Sequence, residues 1–188
     1  MDARTWEALC GGLVAGHEAM MRLGMVTKPL LHAVRGGQLL GYVMVRDFSP
    51  GRDGLDAVVD LGHFASGGQA DEVVMAWEAQ DLAVATELPA DHPDTCLSVV
   101  YARAGRHRLV HMPYQVRQLG IALETGLVGA VPQWLDESLG QEELLPPPVR
   151  GALDLAFLPW DDGQSPGLDA AGLYLERAGY TVRYAEPA

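Results

Sequence analysis

Two carboxylates stand where acids at strand ends could bind a divalent metal. Glu78 comes near the end of an apolar, β-branched run, and Asp47 near the end of an earlier one. Carboxylates that converge in this way can hold a metal ion for hydrolysis. In restriction-type nucleases such acids lie near a lysine, which would stand two residues after Glu78. Gln80 occupies that position here, and Lys28, the only lysine, is remote. Glu78 and Asp47 are the catalytic candidates, and the other interpretation of Glu78 is a solvated or arginine-paired structural acid.

The histidines suggest a second kind of site. His107 and His111 would share one face of a helix, but in a strand they lie about 13 Å apart, too far for one ion. His63, His92 and Cys96 do not stand at the spacing of a zinc site. The chain has neither a Gly-x-Ser-x-Gly nucleophile turn nor a phosphate-binding glycine loop. The sequence therefore predicts no metal and no cofactor.

The stretch from Thr95 to Leu123 is the basic part of an acidic chain. It holds four arginines, two histidines and no Asp or Glu, whereas the formal net charge of the 188 residues is −12. Such asymmetry is typical of a binding face. The candidate binding residues are those of a predicted hairpin: Arg103, Arg106, Arg108 and His111.

Two interpretations of this basic hairpin stay open. Residues 124–188 hold eleven acids and three arginines, so they could neutralise the hairpin within the chain. Alternatively, the hairpin binds an acidic partner or an anionic ligand. The partner expected for the chain as a whole is an acidic protein or a second copy of the chain. Nucleic acid is excluded as a partner, because its binding requires a strongly basic surface.

Composition bounds the class of protein. A chain of this length can bury roughly two thirds of its unfolded surface, which suffices for one core and one domain. No apolar run approaches the ~18 residues that span a bilayer, and residues 1–25 lack the pattern of a signal peptide. Cys10 and Cys96 have no disulfide-like spacing, as is usual for reduced thiols. Twelve arginines against one lysine, with no Asn, indicate a GC-rich bacterial genome, so we predict a bacterial cytoplasmic protein without membrane contact.

The elements that position these residues can be predicted in part. Helical apolar spacing after Asp2 predicts a long first helix to about residue 24. Two-residue turns at Gly36-Gly37 and Ala104-Gly105 predict two β-hairpins, over residues 30–48 and 96–114. In the second hairpin this turn places Ser98 opposite His111 and Arg103 opposite Arg106.

The rest of the chain reads as one central strand and several helices. Residues 72–82 are predicted as that strand, with Trp77 in the core. Residues 55–64 favour a helix because Gly67-Gly68 supplies a stop, although Val58-Val59 would also suit a strand. Apolar spacing predicts further helices over residues 116–127, 132–139, 149–158 and 168–178. Residues 180–184 are predicted as a short closing strand.

The middle of the chain resembles a group of small bacterial α+β proteins of unknown function. The resemblance lies in Ala-Asp at residues 70–71, a strand with Glu-Val-Val-Met-Ala-Trp-Glu-Ala at 72–79, Pro89, and His-Pro-Asp at 92–94 before a hairpin. It covers about residues 30–115, and Gln80 stands where those proteins have Trp. The resemblance implies an α+β fold and supplies no activity.

Together these features predict an α+β protein of one domain. We expect a mixed, mostly antiparallel sheet of two hairpins and a central strand, with a long N-terminal helix and C-terminal helices packed on it. Residues 1–140 would form the core and residues 141–188 a helical C-terminal appendage. The predicted function is a non-catalytic interaction or accessory protein, and the alternative is a divalent-metal-dependent hydrolase using strand carboxylates.

Overall fold

The computed structural model describes residues 1–140, 145–158 and 165–186. Its helices are α1 (Ala3–Arg22), α2 (Arg52–Val59), α3 (Gly62–Gly67), α4 (Ala79–Thr86), α5 (Pro147–Ala156) and α6 (Leu168–Arg177). Its strands are β1 (Leu30–Arg35), β2 (Gln38–Met44), β3 (Glu72–Glu78), β4 (Cys96–Arg103), β5 (Arg106–Ile121), β6 (Val128–Trp134), β7 (Ser138–Leu139) and β8 (Thr181–Tyr184).

The strands form one sheet in the order β6-β5-β4-β3-β1-β2-β8, with β7 added beside β5. All the pairings described are antiparallel. The two predicted hairpins, β1–β2 and β4–β5, lie on either side of the central strand β3. The predicted α+β class and the mostly antiparallel sheet are therefore confirmed.

Apolar side chains bury both faces of this sheet. On one face, Trp77 of β3 packs in a cluster with Phe64 of α3, Val149 of α5 and Leu175 of α6. On the other face, Leu13 of α1 packs against neighbouring positions of β3, β4 and β5. All seven residues of β3 are buried as a result, and the predicted core position of Trp77 is confirmed.

The long first helix begins as the sequence predicts. The Asp2 carboxylate accepts a hydrogen bond from the backbone N–H of Thr5 at 2.8 Å. This side-chain cap satisfies one of the N–H groups that have no partner within the helix. No helix in the described part of the chain is both long and apolar enough to cross a membrane.

The C-terminal elements pack into the layer of helices and the sheet. An added Cβ at Gly62 of α3 would lie 2.4 Å from the carbonyl oxygen of Ala152, so α3 and α5 are in backbone contact. Strand β8 pairs with β2 and forms one edge of the sheet. Residues 141–144 and 159–164 of the predicted C-terminal appendage lie outside the described residues.

The predicted helices at residues 116–127 and 132–139 are wrong. Strand β5 continues to Ile121 and pairs with β6, with a bulge between Gln118 and Gly120. The apolar spacing that suggested a helix is produced here by exposed side chains rather than by one buried stripe. The helices predicted at residues 149–158 and 168–178 and the closing strand are confirmed as α5, α6 and β8.

Two further differences concern the chain around β3. The helix favoured for residues 55–64 is confirmed, as the pair α2 and α3. The central strand was predicted to reach residue 82, but it ends at Glu78, where α4 begins. The strand ends there because the Glu78 side chain caps this helix.

Candidate functional site

Asp47 and Glu78 occupy different environments and perform different tasks. Asp47 is exposed and pairs with the Lys28 ammonium, which lowers the pKa of its carboxyl. Glu78 is buried, and its carboxylate accepts the backbone N–H of Asp81 at 2.7 Å and that of Cys96 at 3.2 Å. Glu78 therefore joins the start of α4 to the start of β4. The structural interpretation expected a solvated or arginine-paired acid, and Glu78 is neither.

A small pocket of about 340 Å³ opens beside Glu78. Asp81 and Tyr114 line it together with apolar side chains of α1, β5 and β6. Burial raises the pKa of the Glu78 carboxyl, and the nearby negative charge of Asp81 adds to that effect. Burial likewise raises the pKa of Asp81. Both acids are thus easier to protonate than in water. Asp47, the other catalytic candidate, does not line this pocket.

Ser98 and His111 form a buried polar pair between β4 and β5. They are directly opposite in the strand register, as predicted, and the Ser98 hydroxyl lies 3.0 Å from His111 Nδ1. The two groups have the spacing of a nucleophile and its base. Ser98 is wholly buried and His111 is 4% exposed, so neither reacting atom is accessible to a substrate.

The 87–95 loop places His92 beside this pair, with the centroids of the His92 and His111 rings 4.8 Å apart. Gln80 of α4 holds the loop, because its side-chain N–H donates to the His92 carbonyl at 3.0 Å. Burial lowers the pKa of His111, although the nearby negative charge of Asp91 acts to raise it. The pairing of Ser98 with His111 follows from the hairpin register, but no local pattern indicates that the 87–95 loop places His92 beside it.

The structure separates the four predicted binding residues. Arg103 contacts the Glu72 carboxylate of β3 and donates to the Tyr101 hydroxyl at 2.7 Å. Burial alone would raise the pKa of Glu72, but hydrogen bonds from the α-amino group of Met1 and from Arg103 hold it below its usual value. Arg103 is thus neutralised within the chain, by β3 and not by residues 124–188. With His111 buried as well, two of the four candidates are engaged internally.

Arg106 and Arg108 remain exposed on the same hairpin. Among the residues that the structure describes, neither takes part in an ion pair. Their charges therefore face the solvent next to the β4–β5 turn.

Beyond Tyr114 the sheet continues as a two-stranded extension, which we name the arm and define as residues 115–133. Its large apolar side chains are unusually exposed: Leu123 97%, Ile121 72%, Val116 53%, Leu119 52%, Val128 52% and Leu127 48%. Contacts with the end of α1 fix its position, since Thr125 donates its hydroxyl hydrogen to the Leu23 carbonyl at 2.6 Å. The arm is the surface that sequence reasoning missed, because it was predicted to be helical.

The chemistry open to these groups is limited by their environment. Within residues 1–140, 145–158 and 165–186, no three His, Cys, Asp or Glu side chains come together in a way that could hold a metal ion. Burial raises the pKa of the Cys96 thiol to about 12, so it is no thiolate at neutral pH.

Comparison with protein-family models, with curated proteins and with solved structures finds no match to this chain. The resemblance to small bacterial proteins stays a prediction.

Proposed function

We propose that the chain is a non-catalytic interaction protein, and that its partner binds the arm together with the exposed arginines of β5. The observation that carries this proposal is the group of six large apolar side chains on the arm, each of which is about half exposed or more. Contiguous exposed apolar surface on a folded protein is typical of a surface that another protein covers.

The composition of the arm supports an apolar contact. Arg117 and Glu124 are its only charged residues, in a chain whose formal net charge is −12. A partner can therefore approach the arm without the repulsion that acidic surface elsewhere would create. The centre of a protein interface is depleted in charged residues in the same way.

The edge of β6 favours contact through side chains over the addition of a further strand. Leu135 donates its N–H to Pro113 of β5 at 2.9 Å. Since N–H groups alternate in direction along a strand, the nitrogen of Pro132 points to the outer edge, where proline offers no donor. Proline in this position is a common protection against pairing with another strand.

Arg106 and Arg108 indicate the chemistry of the partner. They are exposed at one end of β5 while the apolar arm occupies its other end. The partner that matches both is a protein surface with an apolar centre and acidic groups beside it. We further propose that this interaction takes place in a bacterial cytoplasm, since both cysteines are free thiols.

The test is to recover the chain from the cells that naturally make it, identify the protein that accompanies it, and measure affinity with both purified. Leu119→Ser with Ile121→Ser should weaken binding by about ten-fold or more, or ~1.4 kcal/mol. Arg106→Ser with Arg108→Ser should weaken binding most at low salt. The matched control is Val84→Ser, which removes an apolar side chain that is 71% exposed on α4.

Loss of binding in both double variants, with Val84→Ser unchanged, supports the proposal. Equal binding in all four proteins would contradict it. Sedimentation of the purified chain identifies a second copy as the partner if its mass doubles with concentration and Leu119→Ser with Ile121→Ser abolishes the doubling. No observation favours the alternative hydrolase, since Asp47 pairs with Lys28 and Glu78 accepts two backbone N–H groups.

A further inference from the structure

A cleft of about 560 Å³ lies between α1 and the β1–β2 hairpin. Helix α1 covers β3, β4 and β5 on this face of the sheet, and β1 and β2 extend beyond its cover. The floor of the cleft consists of three cross-strand pairs: Leu30 with Met44, His32 with Tyr42 and Val34 with Leu39.

One row of the wall that α1 contributes has almost no side chains. Ala8, Gly12 and Gly16 follow one another at four-residue spacing along it. A Cβ added at Gly12 or Gly16 would have no atom within 4 Å, so neither glycine is required by close packing. Glycine weakens a helix interior, and here its effect is to keep the cleft open.

Two imidazoles with an unused nitrogen line this apolar cleft. His32 lies at the centre of the floor with its ring 5.4 Å from that of Tyr42, and its Nδ1 is buried with no partner among the described residues. His17 is wholly buried, with Nδ1 2.8 Å from the Thr27 hydroxyl and Nε2 likewise without a partner. Burial lowers the pKa of each imidazole to about 4, so both are neutral at pH 7. Buried polar atoms without partners are uncommon in folded proteins and point to a group that satisfies them.

The cleft presents no net charge to a ligand. Lys28 is its only lining residue with a permanent charge, and the Lys28 ammonium pairs with Asp47. No Asp or Glu is among its lining residues in the described part of the chain. A cationic ligand would lose its hydration here without gaining a counter-ion, and an anionic one would have to displace Asp47 from Lys28.

We propose that this cleft binds an uncharged, mainly hydrocarbon small molecule that carries a hydroxyl group, with the hydroxyl at His32. The volume falls within the range of about 300–1,000 Å³ usual for small-molecule sites. A neutral imidazole has one donor and one acceptor nitrogen, and a hydroxyl can partner either of them.

The experiment titrates ¹⁵N-labelled protein with 1-octanol and follows the amide signals of the cleft by NMR. Octanoate and octylammonium serve as charged probes of the same length. Each should bind at least about ten-fold more weakly than 1-octanol. Gly12→Leu fills the cleft from α1 and should weaken octanol binding by about ten-fold or more. His32→Phe keeps the ring beside Tyr42 and should weaken it about three-fold, the effect of one lost hydrogen bond.

Gly11→Leu is the matched control for Gly12→Leu. Gly11 is exposed on the same helix, an added Cβ there meets nothing within 4 Å, and it does not line the cleft. Octanol should bind this variant as it binds the wild type. Equal binding of octanol to Gly12→Leu, equal binding of octanoate, or no shift at the cleft amides would each overturn the proposal. So would a change in sedimentation mass in Gly12→Leu alone, because it would make the cleft a protein-docking surface.

Discussion

Arg103 and Arg106 lie directly opposite each other across the β4–β5 turn, but of the two only Arg103 contacts a carboxylate of the described residues, that of Glu72. Two arginines that are equivalent in the hairpin pattern therefore have different roles. The first contacts the central strand, whereas the second, like Arg108, is exposed and has no ion pair among the described residues.

Arg106→Ser with Arg108→Ser should leave the free energy of unfolding unchanged within about 0.5 kcal/mol, or raise it, because like-charge repulsion across the strands is relieved. Arg103→Ser should lower it by about 1–3 kcal/mol, because the buried Glu72 carboxylate loses a donor. Urea unfolding of the three proteins measures both effects. A loss in the double variant as large as that in Arg103→Ser would instead show neutralisation by residues 124–188.

Trp77→Ala should lower the free energy of unfolding by about 3–5 kcal/mol. The Trp77 side chain is wholly buried between β3 and the helices on that face, so its removal leaves a large cavity. Thermal unfolding followed by circular dichroism gives the result. A melting temperature within a few degrees of wild type would be incompatible with this packing.

Glu78→Gln should destabilise the fold by about 1–3 kcal/mol at neutral pH. The Glu78 carboxylate accepts two backbone N–H groups with its two oxygens, whereas a glutamine amide has one acceptor oxygen. Hydrogen exchange should show that at least one of the amides of Asp81 and Cys96 loses protection, because the single acceptor oxygen of glutamine can serve only one of them. Unchanged protection at both amides would mean that these hydrogen bonds contribute nothing to stability.

Acid should destabilise the protein through its buried histidines. The pKa of His32 is lowered by burial to about 4 in the fold, against about 6.5 in an unfolded chain. Between these values the unfolded state binds more protons, so stability is full above about pH 6.5 and falls as the pH drops to about 4. His17 should act in the same direction.

His32→Phe is the variant that tests this dependence. It cannot be protonated, so it should lose less stability than wild type between pH 7 and pH 4.5 in urea unfolding. Parallel loss in the two proteins would show that His32 is charged in the fold.

Local patterns predicted those parts of the fold that local chemistry determines. The cap at Asp2 and the turns at Gly36-Gly37 and Ala104-Gly105 fix their own neighbourhoods, so α1, both hairpins and the pairing of Ser98 with His111 could be read from the sequence. The end of β3 was harder to predict. Glu78 accepts the backbone N–H of Asp81 at the start of α4, although glutamate is not among the residues that usually cap a helix, so sequence rules did not mark this end.

The arm and the cleft could not be predicted in this way. Exposed apolar residues at 116, 119 and 123 have helical spacing although the first two lie in β5 and the third in the turn that follows it, because periodicity is informative only when one face is buried. The cleft depends on where α1 lies across the sheet. That position follows from contacts of Leu13 with strands distant in sequence, and no local pattern encodes it.

The position of β8 has a consequence for the order in which the molecule can assemble. Strand β2 has β1 on one side and β8 on the other, and the backbones of Gly41 and Arg183 lie in close contact. During synthesis the outer edge of β2 therefore stays unpaired until residues 181–184 have left the ribosome. An open strand edge at that stage invites pairing with other nascent chains, so the yield of folded protein should be sensitive to substitutions in this last strand that hardly affect the finished fold.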